Sequence, residues 1–118
     1  MKLDQLLRIY RMARESQGRR EHDRSYTGKN LSCGDEVTVY VKLDGDTVKD
    51  ISFEASGCAI STSFTYLMAE KLKGRSVEEI LSLGDREFLR LMGLGEISPG
   101  RIKCALIPLV TLRHALRR

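Results

Sequence analysis

The chain reads as an α+β fold in which a small antiparallel sheet, with a hairpin as its core, is covered by several α-helices. Two observations carry that reading. From Val37 to Leu43, apolar residues at every second position alternate with Thr38, Tyr40 and Lys42, the period of a half-buried strand, and Ile51, Phe53 and Ala55 repeat it. Before and after this stretch the apolar spacing changes to the threes and fours of amphipathic helices. With 118 residues there is room for one modest core, so residues 1–118 are read as a single domain.

The first helix is expected over about residues 3–15, with Leu3, Leu6, Leu7, Tyr10 and Ala13 on one face, an arrangement that more often signals core packing than partner docking. Gly18 is its expected stop. Residues 18–30 are polar and strongly charged, from Arg19 and Arg20 through Glu21, His22, Asp23 and Arg24 to Lys29, and are read as an exposed connection. A three-residue loop at Asp44-Gly45-Asp46 would set Val39 opposite Ile51, Val37 opposite Phe53, Asp35 opposite Ala55 and Cys33 opposite Gly57. Val48 falls out of phase, which calls for a bulge near Lys49 or a loop one residue different.

After Cys58 a helix follows with Ile60, Phe64, Leu67, Met68 and Leu72 as its apolar stripe and Gly74 as its stop. Ser76 with Glu79 forms a capping box for a short helix, and Asp85 is placed as the N-cap of another with Phe88, Leu89 and Met92. These three helices are the expected cover of the sheet. Residues 94–100 are read as a loop, and Pro108 is placed in the first turn of the last helix, because in a helix interior proline costs roughly 3 kcal/mol.

Composition narrows the function classes. A hydrophobic share of 42% against 31% charged residues fits a folded chain rather than disorder. No apolar run approaches the roughly 18 residues of a membrane span, and the N-terminus lacks the apolar core of a secretory signal, so a cytoplasmic location with no membrane partner is expected. The net charge of +4 is mild. The basic segments 19–29 and 113–118 raise nucleic-acid binding as a hypothesis, but no RRM, KH, zinc-finger or helix-turn-helix pattern is present and aromatics make up 6%, so nucleic acid is not expected as a partner.

In a reducing compartment three cysteines point to metal binding or catalysis rather than to a disulfide. The hairpin brings Cys33, Asp35 and Cys58 to one end, and Cys58 stands at a helix N-terminus, where free amides and the helix dipole suit a negatively charged sulfur. Three thiolates suit zinc or iron-sulfur chemistry and leave one of four tetrahedral positions open, for which Asp35 is the nearest candidate. No C-x-x-C pair is present, so the spacing is not that of a standard zinc finger. His22 and His114 lack metal-ligand spacing and are read as solvated.

Cys33-Gly34-Asp35, Gly57-Cys58-Ala59-Ile60-Ser61, Lys73-Gly74 and Arg101-Ile102-Lys103-Cys104-Ala105 together resemble the motif set of the IscU, SufU and NifU N-terminal family, the U-type iron-sulfur cluster assembly proteins. The resemblance runs in order from about Asn30 to the C-terminus. It implies a SufE/IscU-like α+β fold, with Cys33, Asp35, Cys58 and Cys104 as ligands of a 2Fe-2S cluster, of iron or of zinc. It also implies a cysteine desulfurase as sulfur donor, acceptor proteins for the finished cluster, and a homo-oligomer when a cluster bridges chains. Cys33 and Cys104 are the candidate persulfide acceptors, and Lys103 and Arg101 are supporting residues beside Cys104.

IscU-type members usually carry histidine before the last cysteine; Lys103 stands there, in an Arg-x-Lys-Cys arrangement that resembles SufU. Cys104 follows Cys58 by only 46 positions, without most of the SufU insertion. Three readings follow: a cluster scaffold, a SufU-like zinc-dependent persulfide acceptor, and, more remotely, a structural zinc domain that mediates interactions.

Overall fold

A computed structural model describes residues 3–30, 34–93 and 99–117, with the side chains of 99–101 outside the description. The order of elements is α1 (Leu3–Ser16), β1 (Arg24–Asn30), β2 (Asp35–Asp44), β3 (Thr47–Ser56), α2 (Ala59–Leu72), α3 (Val77–Ser82), α4 (Asp85–Leu91) and α5 (Pro99–Leu116). The three strands form one antiparallel sheet in the order β1-β2-β3. The α+β class expected from the alternating and helical periods is the observed one.

On the inward face of the hairpin Val37, Val39, Val41, Ile51 and Phe53 are buried, as the period of two requires, and Val48, out of phase with Ile51, is buried as well. The register differs from expectation by two residues. The connection is the two-residue Gly45-Asp46, since Asp44 pairs with Thr47, and Lys49 is an extra residue between the pairs Leu43–Val48 and Lys42–Asp50. The shorter loop and the bulge each add one residue to the offset, so Val39 faces Phe53 and Val41 faces Ile51. An even offset keeps every side chain on its expected face. It also moves Asp35 from Ala55 to the neighbourhood of Gly57.

The charged segment 18–30 is not simply an exposed connection. Its second half is β1, whose Tyr26 faces Val39 and whose Asn30 faces Asp35. The alternation is hidden in the sequence because β1 is an edge strand and a glycine fills one of its inward positions. At Gly28 a β-carbon would lie 2.1 Å from Thr111 Oγ1 and 3.2 Å from Thr111 Cβ, so α5 crosses β1 where β1 has no side chain. The first half is tied down as well: Gly18 N–H donates to the Phe53 carbonyl at 2.9 Å, and Arg20 grips Asp50 with two hydrogen bonds of 2.8 and 2.9 Å. His22 is half-buried rather than solvated, its ring 4.8 Å from that of Tyr40; His114 is exposed and stacks on Tyr26 at 4.7 Å.

The sheet is covered by α2, which lies over β3, and by α5, which lies over β1 and β2. The expectation that α3 and α4 share this cover is corrected: they pack chiefly on α5. The Ser76–Glu79 capping box of α3 is present; for α4 the cap is Gly84, whose N–H donates to Glu87, and Asp85 is already the first helical residue. Helix α1 packs on α2 through Ala13 but leaves Leu3 and Leu7 exposed, so its apolar stripe is only partly core. Pro108 lies inside α5, not in its first turn; Pro99 holds the first position. Pro108 has no N–H to give to the carbonyl of Cys104, four residues back.

We expect Gly28→Ala to lose about 1–3 kcal/mol of stability in urea unfolding, with part of the loss recovered by adding Thr111→Ala. The Arg20 hydrogen bonds hold the Asp50 carboxyl below its ordinary value. A depressed folded-state value makes this contribution complete above the unfolded carboxylate range, about 3.9, and lost as pH falls through the folded value. Asp50→Asn should therefore cost about 1 kcal/mol or less near pH 7, a difference from wild type that closes on acidification below about pH 4, as read from urea midpoints across pH.

Candidate metal centre

Three expected ligands converge among the described residues. Asp35, Cys58 and Cys104 each offer one ligand atom, and these atoms lie within 4.8 Å of one another. Cys33 lies outside the described residues, as does the side chain of Arg101. Lys103 is exposed and lines, with Lys29, Asn30, Leu106, Ile107 and Val110, an open groove of about 460 Å³ beside the cluster.

Each member is placed by a different element. Asp35 opens β2 and is 1% exposed. Its Oδ1 accepts the Cys58 backbone N–H at 2.8 Å, and its Oδ2 stands 3.7 Å from Cys58 Sγ. One oxygen is thus fixed by the backbone while the other faces the sulfur. Gly57 makes this contact possible. A β-carbon there would fall 2.1 Å from Asp35 Oδ1 and 2.8 Å from Asp35 Cα, and the residue adopts φ +126°, a conformation that side chains disfavour. Just before Asp35, Gly34 has φ +74° and donates to the Asn30 carbonyl at 2.8 Å.

Cys58 is the N-cap of α2, and its Sγ accepts the Ser61 N–H at 3.5 Å. A cysteine here replaces the usual Ser, Thr, Asp or Asn oxygen, so the first turn of the helix directs a donor at sulfur. Cys104 is supplied by the second turn of α5 and is 3% exposed; neither it nor Cys58 is in a disulfide. Neither histidine joins the group.

The donor set fits a thiophilic metal. Two ligand atoms on one tetrahedral ion with bonds of about 2.0–2.3 Å are roughly 3.3–3.8 Å apart, a range that holds the Cys58–Asp35 separation of 3.7 Å. Two soft sulfurs select zinc or iron, and a single hard carboxylate makes one bond weaker than the others.

Ser61 belongs to the site although the sequence reading quotes it only as part of a motif. It is fully buried, its Oγ donates to the Cys58 carbonyl at 3.1 Å, and Cys58 Sγ lies 3.7 Å from that Oγ. The spacing of three from an N-cap was the available signal.

The chain belongs to the family described as the NifU-like N terminal domain, which it matches over residues 2–118. It is 39% identical, over 77% of its length and 75% of the relative's, to the iron-sulfur cluster assembly scaffold protein IscU of Thermotoga maritima. To the zinc-dependent sulfurtransferase SufU of Bacillus subtilis it is 36% identical, over 64% of the chain and 63% of that protein. A crystal structure assigned to the SUF-system cluster assembly scaffold of Fervidobacterium islandicum superposes with TM-score 0.79 at 30% identity, covering 94% of this chain and 93% of that one. The N-terminal NifU-like domain of Brucella abortus, at 22% identity and TM-score 0.73, shares the fold.

Gly57→Ala should push Asp35 away from the Cys58 amide. We expect a loss of zinc affinity of about tenfold or more, measured by competition with a chromophoric chelator, together with a lower Tm.

Proposed function

We propose that this chain is an iron-sulfur cluster assembly scaffold that takes sulfur from a cysteine desulfurase, binds iron, holds a 2Fe-2S cluster and passes it to acceptor proteins. The observation that carries this reading is the meeting of two cysteine sulfurs and one buried carboxylate within 4.8 Å. Cys33, Asp35, Cys58 and Cys104 are the proposed ligands, and Cys33 and Cys104 the proposed persulfide acceptors. The chemistry suits a carrier, because thiolates hold the iron while the carboxylate is the harder and weaker partner. The chain acts as one domain in the cytoplasm, with the desulfurase and the acceptors as its partners and a second copy joining when a cluster is shared. Among the described residues no helix is long and apolar enough to cross a membrane.

A second reading rests on Lys103, which gives the Arg-x-Lys-Cys order seen in SufU-type proteins, and on the similarity to the zinc-dependent sulfurtransferase. In it, zinc occupies the same ligands and a cysteine accepts persulfide without a cluster being built.

Anaerobic reconstitution with ferrous iron, cysteine, a desulfurase and a thiol reductant that brings persulfide sulfur to sulfide separates the two. The scaffold reading expects a visible cluster chromophore that then moves to an apo-ferredoxin. Tight stoichiometric zinc, no chromophore and faster desulfurase turnover would replace it with the second reading. In the same assay Asp35→Ala is expected to assemble a cluster but to release it to the ferredoxin several-fold more slowly, since the weakest bond is gone; faster loss would contradict the role given to the carboxylate.

A further inference from the structure

Ser61 has one proton to donate and two acceptors within reach. Its Oγ is 3.1 Å from the Cys58 carbonyl, to which it donates, and 3.7 Å from Cys58 Sγ. It is fully buried, so it has no bulk water to turn to. While Cys58 carries its proton, the S–H has Ser61 Oγ and Asp35 Oδ2 as acceptors, each at 3.7 Å. Bound to a metal, Cys58 has no proton to give and its sulfur can only accept.

The geometry points to Ser61 as a positioning residue that turns its hydroxyl proton from the Cys58 carbonyl onto the Cys58 sulfur when that sulfur binds a metal. The inference rests on the reading of Cys58 as a ligand. The turn leaves no carbonyl stranded, because the Cys58 carbonyl also accepts the Thr62 N–H at 3.3 Å. The Ser61 oxygen needs only a rotation of its own O–H.

The metal-bound sulfur then receives two donors from one residue, the Ser61 amide at 3.5 Å and the Ser61 hydroxyl. Hydrogen bonds to a ligating sulfur draw electron density from the metal-sulfur bond. Ser61 thus lowers the donor strength of Cys58 without touching the metal.

Cobalt(II) reports this directly, because its sulfur-to-metal charge-transfer bands follow the energy of the sulfur lone pairs. The purified chain loaded with cobalt is compared with Ser61→Ala and Ser61→Thr at equal metal occupancy. Ser61→Ala should move the charge-transfer envelope to longer wavelength, and Ser61→Thr, which keeps a hydroxyl, should restore it. If Ser61→Ala does not fold, the near-isosteric pair Ser61→Thr and Ser61→Val makes the same comparison. Superimposable spectra for variants with and without the hydroxyl would overturn the inference. Cys58→Ser separates the two levels: loss of part of the charge-transfer intensity supports Cys58 as a ligand, and unchanged intensity removes the ligand reading on which the role of Ser61 depends.

Discussion

The contact between the Asp35 carboxylate and the Cys58 amide is the constraint on which the rest of the site depends. It joins the start of β2 to the start of α2 across 23 residues of chain, in a place where the carboxylate is nearly without solvent. A buried carboxylate without donors is costly, so the amide is required as much as it is convenient. A hydrogen bond to an ionised group contributes about 1.5–3 kcal/mol, enough to hold the helix start against the strand. The backbone of Cys58 is thereby fixed, and its sulfur lies between the Ser61 N–H at 3.5 Å and Asp35 Oδ2 at 3.7 Å. Gly57 is the condition for all of this, since any β-carbon would occupy the position of the carboxylate oxygen.

Much of the fold was legible because two periods, two and three-to-four, are cleanly written along the chain. The faces of the hairpin were read correctly although its register was not, for the reason that parity survives an even offset. The Val48 phase error announced both faults, but nothing in a single sequence separates a bulge from a shorter loop when the two occur together. Strand β1 was hidden because its inward positions are Arg24, Tyr26, Gly28 and Asn30, with no aliphatic residue among them, and it is held by pairing with β2. Pro108 misled because the cost of a helix-interior proline is local, while α5 is held by burial along Leu109, Leu112, Ala115 and Leu116.

The site was legible to a different extent. Cysteines are rare enough that their positions at the ends of elements carry information, and the hairpin supplied a geometric reason for Asp35 and Cys58 to meet; Cys33, expected beside them, lies outside the described residues. For Cys104 the motif resemblance was needed, because no periodicity says which strand a distant helix will cross; that choice is made by the fit of Thr111 over Gly28. Ser61 escaped notice as a functional group because serine in a helical first turn has an ordinary explanation. Helix α2 also buries Thr62, Ser63 and Thr65, positions outside the expected apolar stripe. With α1 on one side and the sheet and α5 on others, that helix has little surface left to mark as polar.

Helix α5 is anchored unevenly about its proline. The C-terminal half is clamped by Thr111 against Gly28 and by the ion pair between Arg113 and Asp85. Cys104 stands in the other half, and the rung that would tie its carbonyl to residue 108 is missing from the ladder. A displacement of Cys104 therefore strains one hydrogen bond fewer than it would in an unbroken helix. Of the three grouped residues, Asp35 and Cys58 are tied to each other through the backbone, while Cys104 rides on the stretch of α5 that lacks a rung.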